Sequence, residues 1–342
     1  MRNSSNILTK HGNKLIPLVP VVILLLLPLL IHNQYYLHIF TLTFLWVALG
    51  SAWNIIGGFG GQLSIGHAAF FGIGAYTSSL LYIHFGLSPW LGMFAGGILA
   101  MIAALIISWP ALRLRGPFFT LSTIAFAEVV RLLANHYREL TKGSIGLSIP
   151  FNPGFVNLAF RSRESYYYFL FAFMLLVIIC CYLIQNSKLG YYLAAVREDE
   201  EAAESLGVPS TFSKLMAMLL SAFITAVAGT FYAQYLFYID PHTVLPIDVS
   251  IQMVLIAAIG GLAIWQGPIF GGFIVTPLGE FLRAQLGGAF RGLHFVIFGV
   301  VLMLVVIFIP EGLYPWFTRI IGKRILVKFG AKNEVKTEEG GV

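Results

Sequence analysis

The stretch from Gly57 to Leu81, GGFGGQLSIGHAAFFGIGAYTSSLL, concentrates the side chains best suited to handling a small polar solute. Gln62, Ser64 and His67 bring hydrogen-bonding groups into a run of glycine, alanine and phenylalanine, where they are costly unless partnered. Gly66, Gly72 and Gly74 let neighbouring backbones come close. A second set lies in LRGPFFTLSTIAFAEVVRLLANHY. There Thr120, Glu128, Arg131 and Asn135 share about one quarter of the circumference of a helix, and Glu128 and Arg131 are spaced to pair. Two chemistries suit these residues: a polar lining that offers a charge partner to a zwitterion, or acid–base work by His67 and Glu128 on a lipid. Packing suits them as well, with His67 a satisfied core histidine and Glu128–Arg131 an ion pair that locks one helix to its neighbour. Hydrolytic motifs are missing. Gly61-x-x-Ser64-x-Gly66 has the wrong spacing for a nucleophile elbow, and no His-Glu-x-x-His or phosphate-cradling G-x4-G-K-[ST] occurs.

The setting that must position these residues is a membrane. Hydrophobic residues make up 58% of the 342 positions and charged ones 11%, against roughly 25% charged in a soluble protein. Repeated apolar runs predict an all-α polytopic protein of about ten transmembrane or re-entrant helices: 15–32, 36–57, 62–84, 90–112, 117–137, 166–185, 214–238, 248–265, 267–285 and 293–310. The net charge of +6 does not mark a nucleic-acid binder, because the cations sit at the ends of apolar runs. With the N-terminus in the cytoplasm, the inside receives Arg2, Lys10, Lys14, Arg113, Arg115, Lys188, Arg197, Lys214 and the basic tail. The outside receives fewer cations, so both termini are expected in the cytoplasm. The domains read as a cytoplasmic segment 1–14, a membrane domain 15–312 with an inner loop 186–213, and a basic tail 313–342 whose end has a disordered composition. Leu15–Ile31 follows basic residues but lacks a small-x-small cleavage site, which favours an uncleaved first helix. Adjacent Cys180 and Cys181 fit packing and offer no metal framework. Gly57-Gly58 before Phe71-Gly72 is echoed by Gly260-Gly261 before Phe270-Gly271, as in an internal repeat.

The inner loop, LGYYLAAVREDEEAAESLGVPSTFSK, places Ala195, Ala202, Ala203 and Leu206 on one face of an amphipathic helix, with Gly207 as its cap and Pro209 blocking resumption. Such a helix suits a groove on a cytoplasmic partner. The alternative is a helix lying on the headgroups, which the run Glu198, Asp199, Glu200, Glu201 opposes.

Glu201-Ala202-Ala203-x-x-x-Gly207 resembles the EAA-x3-G coupling signature of ABC importer permeases. Its surroundings are similar to the LivM-type permeases of branched-chain amino acid transporters, as are GGQLSIGHAAFFGIGAY, LRGPFFTLSTIAFAEVVRLL, TKGSIGL and IGGLAIWQGPIFGG, in family order from about residue 50 to residue 285. Two positions depart from that pattern. Lys142 stands where the family usually has glycine, and Ala263-Ile264 replaces a more usual Gly-Thr. The resemblance implies a permease subunit of a prokaryotic inner membrane, working by ATP-driven alternating access with a homologous second permease, two cytoplasmic ATPases and an extracytoplasmic binding protein. Membrane lipids surround it, and no nucleic acid is implied. The chain is then expected not to be an enzyme and to bind no cofactor, ATP and Mg being used by the partner ATPases. Arg197, Glu201, Ala202, Ala203 and Gly207 are the expected coupling residues; Gln62, Ser64, Gly66, His67 and Glu128 are the expected path residues. Branched-chain amino acids are the expected substrates, with urea or short amides as the alternative. A lipid-modifying enzyme and a passive channel are readings from other classes, and neither explains the coupling helix.

Overall fold

The computed structural model describes residues 18–31, 33–112, 114, 116–286, 296, 299–300, 303, 307–309 and 311–320. The N-terminal segment 1–14, Arg113, Arg115, most of the expected helix 293–310 and the tail beyond 320 lie outside them.

The chain is an all-α bundle. Asn33 caps α2 (Gln34–Asn54) after the short α1 (Leu18–Leu30), accepting from Tyr35 N at 2.9 Å. Left-handed Gly86 ends α3 (His67–Phe85), and Ser88-Pro89 opens α4 (Pro89–Ala111). Pro117 opens α5 (Pro117–His136), which is followed by the single turn α6 (Arg138–Thr141). After α7 (Arg163–Gln185) come α8 (Lys188–Glu198), α9 (Glu200–Ser205) and α10 (Ser210–Leu236). The short α11 (Pro241–Val244), α12 (Ile247–Gly260) and α13 (Gly267–Leu286) complete the described bundle. Residues 147–148 pair antiparallel with 238–239 and tie the long outer loop to the end of α10. Among the described residues six helical segments are long and apolar enough to cross a membrane.

α10 lies against α3, α4 and α2, and α2 in turn against α7, α12 and α13. Glycine permits the closest of these approaches. A Cβ on Gly74 would stand 2.0 Å from the Ala226 carbonyl oxygen, and one on Gly229 2.1 Å from that of Phe71, so α3 and α10 touch backbone to backbone. Enclosure is uneven: 94% of the apolar window of α2 is buried but only 22% of that of α5, which lies on the flank of the bundle.

Three expectations need correction. The helix expected from residue 62 begins at His67; before it the chain turns through a π segment (Ile55–Phe59) and an irregular stretch, so Gln62, Ser64 and Gly66 lie in a loop. The expected single amphipathic helix of the inner loop is two helices, because Asp199 is extended (φ −155°, ψ 111°) and its side chain accepts from Ala202 N at 3.0 Å to cap α9. That break takes Ala195 out of line with Ala202 and Ala203. The helix expected over 248–265 stops at Gly260, where the backbone turns through Gly261 at φ 128°.

The two departures from the family pattern share a physical feature: Lys142 and Ala263 both have φ of 62°. A left-handed backbone costs an L-residue about 1–2 kcal/mol and glycine almost nothing, although glycine loses more chain entropy on folding. Lys142→Gly and Ala263→Gly are therefore expected to stabilise the protein by roughly 0.5–1 kcal/mol each. Ala195→Gly, in the helical α8, is expected to destabilise it by about 1 kcal/mol. Thermal unfolding of the purified variants in one detergent checks the signs.

Candidate functional site

In hydrocarbon an irregular backbone survives only where every N–H and C=O is paired. In the stretch 60–68 side chains from three helices, α2, α5 and α12, together with the π segment, pair several of these groups. Gln62 N reaches Ile56 O at 3.1 Å, and Thr120 Oγ1 donates to Leu63 O at 2.7 Å. Trp53 Nε1 donates to Ser64 O at 2.6 Å, Ile65 N donates to Thr123 Oγ1 at 3.1 Å, and Ala68 N donates to Ser250 Oγ at 2.8 Å. Gly66 is required here, since a Cβ would stand 2.6 Å from the Thr123 carbonyl oxygen.

His67 is fully buried and lies in a chain of hydrogen bonds with a defined direction. Ser221 Oγ donates to Ala52 O at 2.6 Å, so it must accept from His67 Nε2, 2.7 Å away. That fixes the neutral Nε2–H tautomer, and Ser64 Oγ, 3.1 Å from Nδ1, is then the donor on the other side. His67 thus joins the loop to α10 and the end of α2, and is enclosed within the subunit. Glu128 lies on an exposed face of α5 and is bonded to Arg131, so the two residues do not form an acid–base pair. Among the described residues no cluster of three or more His, Cys, Asp or Glu side chains could hold a metal.

The polar stripe on α5 has the expected composition and a greater reach. Arg131 Nε donates to Glu128 Oε2 at 2.9 Å and Nη2 donates to Oε1. Asn135 Nδ2 donates to Arg131 O at 3.0 Å, and Ser144 Oγ donates to Asn135 Oδ1 at 3.2 Å while standing 3.5 Å from His242 Nε2. At the other end Thr120 meets Leu63, and Gly61, Gln62, Leu63, Gly116, Thr120 and Leu121 line a cavity of about 480 Å³. The polar track on α5 therefore has three parts, Thr120 beside Gln62 at one end, Glu128–Arg131 at mid-helix and Asn135–Ser144–His242 at the other end, with the apolar Leu121 and Ala125 exposed between the first two.

The inner loop sits against the Gln62 end. Lys214 of α10 is 3% exposed and pairs with Glu200 of α9 at 2.6 Å, and Ser210 donates to Glu204. Arg197 Nη1 donates to Gly58 O at 3.4 Å, and its stem covers Gly61, where a Cβ would stand 2.7 Å from Arg197 Cγ. Gly207, at φ 84°, closes α9 as expected, with Val208 N bonded to Ala203 O at 3.0 Å. Ala203 packs inward, whereas Glu201, Ala202 and Gly207 are exposed and Leu206 is 86% exposed. The Gly57-Gly58 and Gly260-Gly261 neighbourhoods, linked in the sequence only by likeness, meet through Asn54: Nδ2 donates to Ile264 O at 3.0 Å and Oδ1 accepts from Ala263 N at 3.3 Å.

Sequence reasoning missed Asn54, Thr123, Lys214, Ser221 and Ser250. Asn54, Ser221 and Ser250 are single polar residues among apolar neighbours, and all five pair with groups from other segments of the chain, which the sequence does not display.

A sequence profile of the family described as the permease component of the branched-chain amino acid transport system matches residues 35–307. The chain is 28% identical over 298 residues to the high-affinity branched-chain amino acid transport system permease protein LivM of Escherichia coli, covering 80% of this chain and 69% of that protein. It is 24% identical over 234 residues to the probable permease protein LivM of Methanocaldococcus jannaschii (66% of this chain, 68% of that one). To the probable LivH of the same organism it is 25% identical over 243 residues (68% and 75%).

The histidine chain makes a testable demand. Ser221→Ala leaves the His67 Nε2–H and an Ala52 carbonyl lone pair without their buried partner, so it is expected to cost about 1–3 kcal/mol. Equilibrium unfolding in mild detergent checks this, and Ser148→Ala, at an exposed position, is the control expected to be close to neutral.

Proposed function

Because the chain belongs to the permease family of the branched-chain amino acid transport system, as its match over residues 35–307 shows, we propose that it carries branched-chain amino acids inward across a prokaryotic inner membrane as one of two permease subunits of an ABC importer. The observation that carries this reading is the polar track on α5, exposed along a helix with little enclosure by its own subunit. Charged and amide groups at that depth need a wet or protein-lined surface. A second, homologous permease facing α5 supplies one, and the likeness of this chain to both a LivM and a LivH supports such a pairing. Lipid covers α4 and α7, whose outward residues Phe94, Ile98, Ile106, Leu176 and Leu183 are apolar.

The inner loop faces the cytoplasm, where two ATPases close on ATP and Mg and a binding protein delivers substrate to the opposite, His242 end. The exposed tip of α9, from Ala202 to Gly207, enters a groove on one ATPase. Its displacement passes through Glu200–Lys214 to α10 and through Arg197 to Gly58 and Gly61, and so reaches the loop that lines the inner end of the track. The path switches between outward- and inward-open states in this way. Among the path residues, Gln62 and Glu128 face the track; Ser64, Gly66 and His67 hold the loop that shapes it.

Leu206→Glu and Gly207→Trp alter the exposed tip without entering the packed bundle. Both are expected to leave membrane insertion intact and to reduce leucine uptake by at least ten-fold in the assembled transporter, with ATP hydrolysis no longer stimulated by the loaded binding protein. Uptake at the unmodified rate in both variants would falsify the coupling role of α9.

A further inference from the structure

Glu128 lies roughly halfway along α5, about 16 Å from its first residue and about 12 Å from its last at 1.5 Å per residue. Its bond to Arg131 uses Nε and Nη2, so Arg131 Nη1 stands outside the ion pair, and the Glu128 carboxylate keeps lone pairs beyond the two it gives to Arg131. The Glu128 side chain is 48% exposed and that of Arg131 27%, so both halves of the pair can be reached from the track. Leu121, Ala125 and Leu132 surround Glu128 on the open face of α5, each apolar and exposed.

We propose that Glu128 and Arg131 form a clamp for the head of an α-amino acid zwitterion, with Arg131 Nη1 taking the carboxylate and Glu128 the ammonium group. The proposal rests on the reading of α5 as path-lining and adds the residues that recognise the amino-acid head there. A net-neutral pair binding a net-neutral head replaces water hydrogen bonds by charge-assisted ones without leaving a charge uncompensated in the membrane. Leu121, Ala125 and Leu132 then receive an aliphatic side chain, while a charged one would lose its hydration against them. Urea and short amides carry no formal charge for either half of the clamp, so the pair discriminates against them. A structural ion pair alone would call for none of this surface.

The test uses the whole importer in vesicles: this chain, the second permease, the ATPases and a saturating binding protein. E128Q/R131Q keeps polar, hydrogen-bonding side chains at both positions but removes both charges. It is expected to assemble with its partner subunits and to take up leucine about 10–100-fold more slowly, as expected for loss of one or two charge-assisted hydrogen bonds. The swap E128R/R131E restores the ion pair with its polarity reversed. It is expected to assemble and still transport at least ten-fold below the unmodified rate, and it decides the matter if the neutral variant fails to fold. Unmodified leucine uptake in either variant overturns the clamp. A Glu128→Cys chain, with Cys180 and Cys181 replaced by alanine, separates the two levels of the argument. Failure of a charged thiol reagent to label it in the assembled importer overturns the path reading and the clamp together. Labelling that leucine blocks and urea does not supports both. Labelling combined with unmodified uptake by E128Q/R131Q removes the clamp and leaves the path in place.

Discussion

The structure depends on one constraint: a backbone that leaves the helix inside a membrane must have each of its polar groups paired. The chain leaves it at two places on the same end of the bundle, at 60–66 and at 261–266, and at each the pairing comes from side chains of other helices, most of them far away in sequence. Trp53, Thr120, Thr123 and Ser250 hold the first; Asn54 and Gln185 hold the second, Gln185 Oε1 accepting from Trp265 N at 2.9 Å. These bonds fix the loop against α5, and so fix where Gln62 and Leu63 meet the polar track. A site on irregular backbone is as definite as its supporting side chains make it.

α10 links the two ends of this arrangement. Its first turns carry Lys214, which anchors α9, and two turns later Ser221 holds His67 and Ala52. Beyond these, Gly229 brings it into backbone contact with α3. The Ala226 and Phe71 carbonyls leave no room for a Cβ at Gly74 or Gly229, so the contact between α3 and α10 depends on both glycines. The two inner-loop helices are thus tied to the body at two points, α9 by Glu200–Lys214 to α10 and, across the extended Asp199, α8 by Arg197 to Gly58 and Gly61.

Much of this was legible in the sequence. The helices follow from apolar runs, Gly207 and Pro209 mark the end of α9, and the spacing of Thr120, Glu128, Arg131 and Asn135 places them on one face. What was not legible depends on tertiary pairing. Residues 62–66 carry no helix breaker that distinguishes them from the equally glycine-rich start of α3, and only the remote hydroxyls of Thr120 and Thr123 make a loop there tolerable. Asp199 reads as one acid in a run of four, yet its cap divides the inner loop into two helices. His67 and Glu128 each admitted a path-lining and a packing role in the sequence, and burial separates them: one is enclosed and satisfied, the other open. Lys142 and Ala263 show the converse, since a likeness to glycine at those positions already contained the backbone geometry that the structure reveals.

The uneven packing of the bundle follows from the same division. α5 contributes only Phe119, Thr123 and Ala127 to the buried interior, and a cavity of about 380 Å³ lies behind it, lined by Tyr76, Leu99, Val130 and Leu133 among others. Small shifts of α5 therefore disturb few contacts, whereas shifts of α3 against α10 disturb many. α5 is tied to the body at both ends, by Thr120 and Thr123 to Leu63 and Ile65 in its first two turns and by Asn135 to Ser144 in its last. Between these ties the side chains of Glu128 and Arg131 bond to each other rather than to the body, which leaves the mid-helix polar pair open on the flank of the bundle.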